Sequence, residues 1–183
     1  LLFRFLTIQN YRLQQILKRH RDMMFRYDTD DKPISIIITT LAARAYNGEK
    51  NLLEGLVNVI ENMEKSIIKN DKGEDVVPNP VNPEENFADK WPTHPKRREN
   101  FYKWLAAVKK DVHEILDGAN RIQIQNTMNR VFGKDLITKA SSLLVERRKS
   151  KLATGAALLT SAGKVTASTV GRIVNTANTF YGE

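Results

Sequence analysis

The sequence contains no cysteine, three histidines and six prolines, five of which fall between Pro78 and Pro95. The lack of cysteine excludes disulfides, thiolate metal sites and a cysteine nucleophile. No apolar run is long enough to span a bilayer. The apolar start, 1–6, is interrupted by Arg4 and lacks the cleavage region of a signal peptide. We therefore expect a cytoplasmic protein that has no membrane partner.

Two common signatures of phosphate and metal chemistry are also missing. The chain has no glycine-rich loop of the Walker type and no Asp-x-Asp pair flanked by strand-like sequence. Asp28 and Asp30 have the spacing that holds a divalent metal in polymerase-like sites, and Asp31 follows them. They lie between two helical patterns, however, so we interpret them as loop acids that cap a helix. His20 lies on an apolar stripe and is expected to be a paired core or boundary residue.

Positive charge is in excess, with 29 Lys and Arg against 21 Asp and Glu and a formal net charge of +8. Such an excess favours anionic partners, which include nucleotides, nucleic acid and acidic lipid. Simple solubility explains the same charge equally well. Composition alone leaves both interpretations open.

Apolar residues recur at helical spacing through most of the chain, which predicts an all-α helical bundle. We expect helices over 9–26, 33–46, 52–70, 96–116, 121–132 and 134–149, with shorter ones near 82–90 and 154–159. The β-branched run 36–40 fits a strand as well. Beyond Lys151 small residues dominate, so the predicted organisation is a helical domain over 1–150 and a flexible tail over 151–183.

Lys18 differs from the other cations of the predicted first helix. It falls on one line with Tyr11 and Phe25, whereas Arg12, Arg19 and Arg26 form a separate, solvated line. A lysine on a covered face needs a counter-charge, because burying an unpaired ammonium is costly. A ligand phosphate would serve, and an internal Asp or Glu would serve as well and is the partner that spacing alone favours.

Ser35 falls in the first turn of the helix that Pro33 is expected to begin. The free N–H groups and the dipole of a helix start attract anions, and a serine hydroxyl adds a donor. A plain capping or surface serine is the alternative. Together, Lys18 and Ser35 would form a phosphate-binding pair from two adjacent helices.

Three segments, taken in order, resemble the C-terminal helical region of the cGAS/DncV-like nucleotidyltransferases (CD-NTases) of CBASS anti-phage defence. They are LQQILKRHRDMMF over 13–25, KPISIIITTLAARAY over 32–46 and PNPVNPEENFADKW over 78–91. The ending NTFYGE, 178–183, is similar to family tails, which often carry a histidine where Asn178 stands. The similarity extends from about Leu13 to about Trp104 and returns at the tail.

The resemblance implies a two-lobed enzyme that joins nucleoside triphosphates into cyclic di- or trinucleotides, with Mg²⁺ bound by a catalytic N-terminal lobe that this chain lacks. The chain would be the lobe that closes the nucleotide cleft, inactive by itself and without catalytic residues. Lys18 and Ser35 match the family's lysine and serine that hold the triphosphate. The tail could bind an accessory protein. Two alternatives remain: a nucleic-acid-binding module that presents Arg12, Arg19 and Arg26 to phosphates, and a structural interaction domain.

Overall fold

The computed structural model describes residues 8–118 and 120–153, together with the short segments 157–159 and 165–167. The described part is mostly helical. Its helices are α1 (Ile8–Met24), α2 (Ser35–Ala45), α3 (Leu52–Asn62), α4 (Pro95–Leu116), α5 (Arg121–Phe132) and α6 (Lys134–Ala153), with a 3₁₀ turn at Met63–Ser66. Two antiparallel strand pairs complete it: β1 (Ile68–Lys69) with β2 (Asp75–Val76), and β3 (Ala157–Leu159) with β4 (Val165–Ala167).

The chain divides into two units, Leu1–Lys134 and Asp135–Glu183. In the first unit α1 is the central element, since it contacts α2, α3, α4 and α5. Leu13 and Leu17, one turn apart on α1, are fully buried. They pack in a core with Ile38 of α2, Ile60 of α3 and Trp104 of α4. Several helices converge on α1, so side chains on its different faces meet different neighbours.

Local signals in the sequence explain most helix boundaries. Asn51 and Asn120 each accept a hydrogen bond of 2.9 Å from a backbone N–H two or three residues ahead, which caps α3 and α5. Pro95 occupies the start of α4, where a missing N–H costs nothing. Gly133 ends α5 at a φ of 89°, a backbone conformation that favours glycine. The predicted bounds of α1, α4 and α5 are therefore confirmed to within two residues. The helix predicted over 134–149 is also confirmed, and it extends four residues further, to Ala153.

The helix predicted over 33–46 is confirmed to within two residues, so the segment 36–40 is helical and the strand alternative does not hold. Two local predictions are wrong. The predicted helix 52–70 stops at Asn62, and Ile68–Lys69 pairs with Asp75–Val76 as a hairpin around Gly73. No helix forms at 82–90; Asn86 bridges to Pro78, and its side chain accepts hydrogen bonds of 2.9 Å from the backbone N–H groups of Val77 and Ala88.

Aromatic packing holds the connector before α4, residues 78–94, in place. Trp91 is 5% exposed. Its ring centroid lies 5.3 Å from that of Phe101, and Phe101 lies 5.8 Å from Trp104. This cluster attaches the connector to α4 and fixes the direction in which that helix leaves.

The second unit is described by itself. It contains α6 from Asp135 onward and the β3–β4 pair. Ala157–Leu159 is a strand, so the short helix expected near 154–159 is wrong for these three residues, while 154–156 lie outside the described residues. The tail motif at 178–183 also lies outside the described residues. Among the described residues, no helix combines the length and apolarity needed to cross a bilayer.

Candidate functional site

Ser35 is the first residue of α2, as its place in the first turn requires. Pro33 and Ile34 precede the helix rather than begin it, and Ile34, the residue before the helix, has extended backbone and no side-chain cap. The first N–H groups of a helix have no partner within it, and the dipole adds partial positive charge there. Ser35 itself is exposed. The start of α2 therefore offers donors to an approaching anion.

Arg21 holds this helix start against α1, and the sequence analysis did not identify it. Its guanidinium Nη1 donates to Pro33 O at 3.0 Å and to Ser35 Oγ at 2.8 Å. The Arg21 side chain is only 6% exposed. Because the Ser35 oxygen already accepts a hydrogen bond, its own O–H remains available as a donor. A signal was present: Arg21 follows Leu13 and Leu17 at four-residue spacing, so it lies on the same buried stripe.

Asp22 and Lys32 complete the polar cluster. Asp22 Oδ1 accepts from Arg21 Nε at 3.0 Å and from Nη2 at 2.8 Å, and it lies 3.4 Å from Lys32 Nζ. This fork-shaped contact fixes the plane of the guanidinium and thereby the position of Ser35. Two cationic side chains, those of Arg21 and Lys32, pair with this one carboxylate. The cluster therefore keeps a positive excess.

Lys18 lies one turn before Arg21 on α1 and is half-buried. Within the described part of the chain, no carboxylate forms an ion pair with it and no group forms a hydrogen bond with it. An internal Asp or Glu as the counter-charge of Lys18 is therefore not found in that part of the chain. Tyr11, Lys18 and Phe25 were predicted to share a covered face of the helix. The prediction is confirmed for Phe25, which is 6% exposed, and is wrong for Tyr11, which is 61% exposed.

The acids at 28–31 do not cap a helix. Asp28 Oδ2 and Asp31 Oδ2 lie 3.4 Å and 3.3 Å from Lys96 Nζ, and Asp31 Oδ1 lies 3.4 Å from Arg97 Nε. Burial opposes ionisation of Asp31, but the hydrogen bonds from Lys96 and Arg97 outweigh it and lower its pKa. These acids therefore tie the α1–α2 loop to the start of α4.

His20 is a paired core residue, as predicted. It is 3% exposed, and its Nε2 lies 3.0 Å from Asp111 Oδ2 of α4. Asp111 Oδ1 in turn lies 3.0 Å from Arg130 Nη2 of α5. Burial lowers the pKa of His20, and the hydrogen bond to Asp111 opposes that shift without cancelling it. A neutral ring donating to a carboxylate is the consistent arrangement.

Arg12 and Arg19 of α1, and Arg26 just beyond its end, are exposed, as expected of a solvated line. Two of them nevertheless have partners within the chain. Arg19 Nε donates to Phe132 O at 3.0 Å, and the Arg26 guanidinium lies 4.5 Å from the centre of the Tyr27 ring. These contacts weaken the case for a continuous phosphate-binding row.

A divalent metal was expected on the absent lobe rather than on this chain. Across the described residues, no group of three or more His, Asp or Glu side chains is placed to hold a metal ion.

Comparison with known proteins gives relatives in both sequence and fold, while no protein-family model matches the chain. The chain is 29% identical over 175 residues to a c-di-GMP synthase from Roseivirga ehrenbergii, which covers 94% of this chain and 46% of that protein. It is 24% identical over 136 residues to the cyclic dinucleotide synthase CdnG from Bradyrhizobium diazoefficiens, which covers 73% of this chain and 33% of that protein. The chain thus spans less than half the length of these curated relatives.

A solved structure shares the fold. The structure of the Bradyrhizobium diazoefficiens CD-NTase CdnG in complex with GTP superposes with a TM-score of 0.59 at 22% sequence identity. The match covers 74% of this chain and 39% of that one.

Proposed function

We propose, from the premise that this chain is a relative of the cGAS/DncV-like nucleotidyltransferases, that it forms the C-terminal helical part of a cyclic dinucleotide synthase. Its curated relatives are cyclic dinucleotide synthases. In this proposal the chain closes one side of the nucleotide cleft and holds the triphosphate of a bound nucleotide at the α1–α2 junction. The GTP in the CdnG complex supports a nucleoside triphosphate as the ligand.

The observation that carries the proposal is that Lys18 has no partner among the residues that the structure describes. An ammonium that is half-buried without a described counter-charge is costly, and a triphosphate would supply the missing negative charge. Lys18 lies on the face of α1 that also carries Arg21, which contacts the first residue of α2. A phosphate between Lys18 and the α2 start would meet an ammonium, a hydroxyl and free backbone N–H groups.

Ser35 acts as a hydrogen-bond donor in this arrangement. Its oxygen is held by Arg21 at 2.8 Å, so the hydroxyl proton is free to point toward a phosphate oxygen. Arg21 is a positioning residue, since Asp22 and Pro33 already engage its guanidinium. Lys18 and Ser35 bind and orient the phosphates, and neither needs to transfer a proton.

The remaining parts of the activity belong elsewhere in the whole enzyme. We place Mg²⁺ and the catalytic carboxylates on its N-terminal lobe, and we place a contact with a CBASS accessory protein on the tail, 151–183. The product is a cyclic di- or trinucleotide, and the two curated relatives favour a dinucleotide.

The proposal is tested in the whole enzyme that carries this chain, with labelled nucleoside triphosphates and separation of the cyclic products. Lys18→Ala should lower kcat/KM by about 10- to 100-fold, as expected for the loss of one or more charge-assisted hydrogen bonds of about 1.5–3 kcal/mol. Arg12→Ala is the matched control, because it removes an exposed cation from another face of the same helix. Equal rates for the Lys18→Ala and wild-type enzymes would refute the proposed role.

The nucleic-acid alternative makes a different prediction. A module that binds duplex DNA through Arg12, Arg19 and Arg26 would lose affinity in the Arg12→Ala variant and retain it in the Lys18→Ala variant. It would also lose affinity steeply with added salt and would not discriminate between sequences. That pattern, without nucleotide-dependent product, would replace the synthase proposal.

A further inference from the structure

A cavity lies on another face of α1, away from the proposed phosphate-binding pair of Lys18 and Ser35. It has a volume of about 670 Å³ and is formed by α1, α4, α5 and the residues that follow α1 and α5. At about 100° per residue, His20, Met23 and Met24 project 120° or more around the helix from Lys18. The cavity is therefore distinct from the α1–α2 junction.

The walls of this cavity are apolar and its edge is cationic. Met23, Met24 and Val131 contribute apolar surface. Arg26, Arg130 and Lys134 also line it, while the Arg19 guanidinium lies beside Gly133 at its edge. The lining includes a single carboxylate, that of Asp111, which is paired with both His20 and Arg130, and Arg130 also lies 3.0 Å from Glu114. Among the described residues, Arg26 and Lys134 form no ion pair, so they are the cations left for an anionic ligand.

Tyr27 adds a flat surface to the cavity. Its side chain is 87% exposed, and the Arg26 guanidinium stacks on the ring 4.5 Å from its centre. An exposed aromatic ring beside an arginine is the arrangement on which nucleobases stack. His20 also lines the cavity, and its buried Nδ1 has no hydrogen-bond partner in the described structure. Because Nε2 donates to Asp111, Nδ1 is an acceptor left without a donor.

We propose that this cavity binds a nucleotide, with its base against Tyr27 and the methionines and its phosphate among Arg26, Arg130 and Lys134. The volume lies within the range of small-molecule sites, about 300–1,000 Å³. Such a ligand contacts the same helix that carries Lys18, but by a different face. The site is thus a second nucleotide site, independent of the triphosphate-binding role proposed above.

The methionines allow a direct test on the 183-residue chain. It contains four methionines, of which Met23 and Met24 line the cavity, whereas Met63 is fully buried in the core. In a chain labelled with ¹³C-methyl methionine, GMP should shift the Met23 and Met24 signals in a saturable manner and leave Met63 unchanged. Guanosine and inorganic phosphate, titrated separately, should each cause weaker shifts, because each supplies one half of the ligand.

Variants assign the shifts to the cavity. Lys134→Ala and Tyr27→Ala should each weaken GMP binding by about three- to tenfold, since each removes one solvent-exposed contact. Lys103→Ala removes an exposed α4 lysine that does not line the cavity and should leave the affinity unchanged. The Lys18→Ala chain should titrate like wild type, which separates this site from the proposed triphosphate site.

Three results would overturn the inference. The first is no shift of Met23 or Met24 at millimolar GMP. The second is an affinity for inorganic phosphate equal to that for GMP, which would leave no role for the base. The third is loss of the titration in the Lys18→Ala chain, which would assign the shifts to the α1–α2 junction.

Discussion

The Nη1 of Arg21 on α1 lies 2.8 Å from the Oγ of Ser35 at the start of α2. This hydrogen bond joins a buried guanidinium to an exposed hydroxyl, and the same guanidinium nitrogen also binds Pro33 O. The two helices are thereby fixed at the position where Lys18 and the α2 start would face a phosphate. The predictions below separate the residues that would bind the ligand from those that hold the structure.

Arg21→Ala should destabilise the fold and reduce nucleotide binding together. The variant leaves Pro33 O without its donor and removes a side chain that is 6% exposed. We expect the free energy of unfolding to fall by about 2 kcal/mol or more in urea denaturation. Arg12→Ala, on the solvated line, should stay within about 0.5 kcal/mol of wild type. Similar stabilities for the two variants would show that Arg21 does not fix the junction.

Ser35→Ala should act mainly on function. Ser35 is exposed, so its loss should change stability little, while the phosphate loses one neutral donor. In the whole enzyme we expect kcat/KM for cyclic product to fall by about three- to tenfold, less than for Lys18→Ala. A loss larger than that of Lys18→Ala would mean that the hydroxyl, and not the ammonium, is the principal phosphate contact.

Stability should fall as the pH drops below about 6.5, the ordinary pKa of histidine, because of His20. The folded-state pKa of His20 is lowered by burial, so the unfolded chain takes up a proton in this range while the folded chain does not. Proton uptake by the unfolded state alone favours unfolding. His20→Gln should therefore flatten the dependence of the unfolding free energy on pH between pH 5 and 7, as measured by urea denaturation. An equally steep dependence in the variant would assign the effect to other groups.

Asp75→Asn should destabilise the hairpin and its contact with α4. The Asp75 side chain is 1% exposed, and it pairs with Lys69 and Arg98 and accepts a hydrogen bond of 3.2 Å from Tyr102. Burial opposes its ionisation, but the hydrogen bonds from Lys69 and Arg98 prevail and lower its pKa. We expect a loss of about 1–3 kcal/mol at neutral pH by thermal or urea unfolding. Asp71→Asn, the same change in the exposed turn, is the control and should be nearly neutral.

The Asp75 contribution to stability has a defined pH range. Because the folded-state pKa is depressed, this stabilisation is present above the unfolded value near 3.8 and is lost as the pH falls through the folded value. The difference between wild type and Asp75→Asn should therefore be constant near neutral pH and shrink only below about pH 4. A difference that disappears already at pH 5 would contradict the pairing.

The sequence predicted elements whose signals are local. The helices α1, α4 and α5 follow apolar periodicity with clear start and stop residues, and His20 was expected to be a paired residue from its place on an apolar stripe. The β1–β2 hairpin was missed because its strands have two residues each and show no alternation. The absence of a helix at 82–90 depends on the hydrogen bond that the backbone N–H of Val77 donates to the side chain of Asn86, nine residues away, which a local pattern does not reveal.

The candidate site was predictable only in part. Ser35 lies at the helix start as expected. Lys18 shares a face of α1 with Arg21, the residue that contacts Ser35. Arg21 was passed over because only the line of Lys18 and the line of Arg12, Arg19 and Arg26 were considered, although four-residue spacing from Leu17 places Arg21 on the buried stripe. The pairing of Asp28 and Asp31 with Lys96 and Arg97 joins residues more than 60 positions apart, so no spacing rule could have given it.

The most direct test of the phosphate-binding role of the α1–α2 junction is a crystal structure of the whole enzyme with a non-hydrolysable GTP analogue. The proposal predicts a phosphate oxygen within about 3 Å of both Lys18 Nζ and Ser35 Oγ, with Arg21 still bound to Ser35. A triphosphate bound elsewhere, with Lys18 still unpaired, would contradict it.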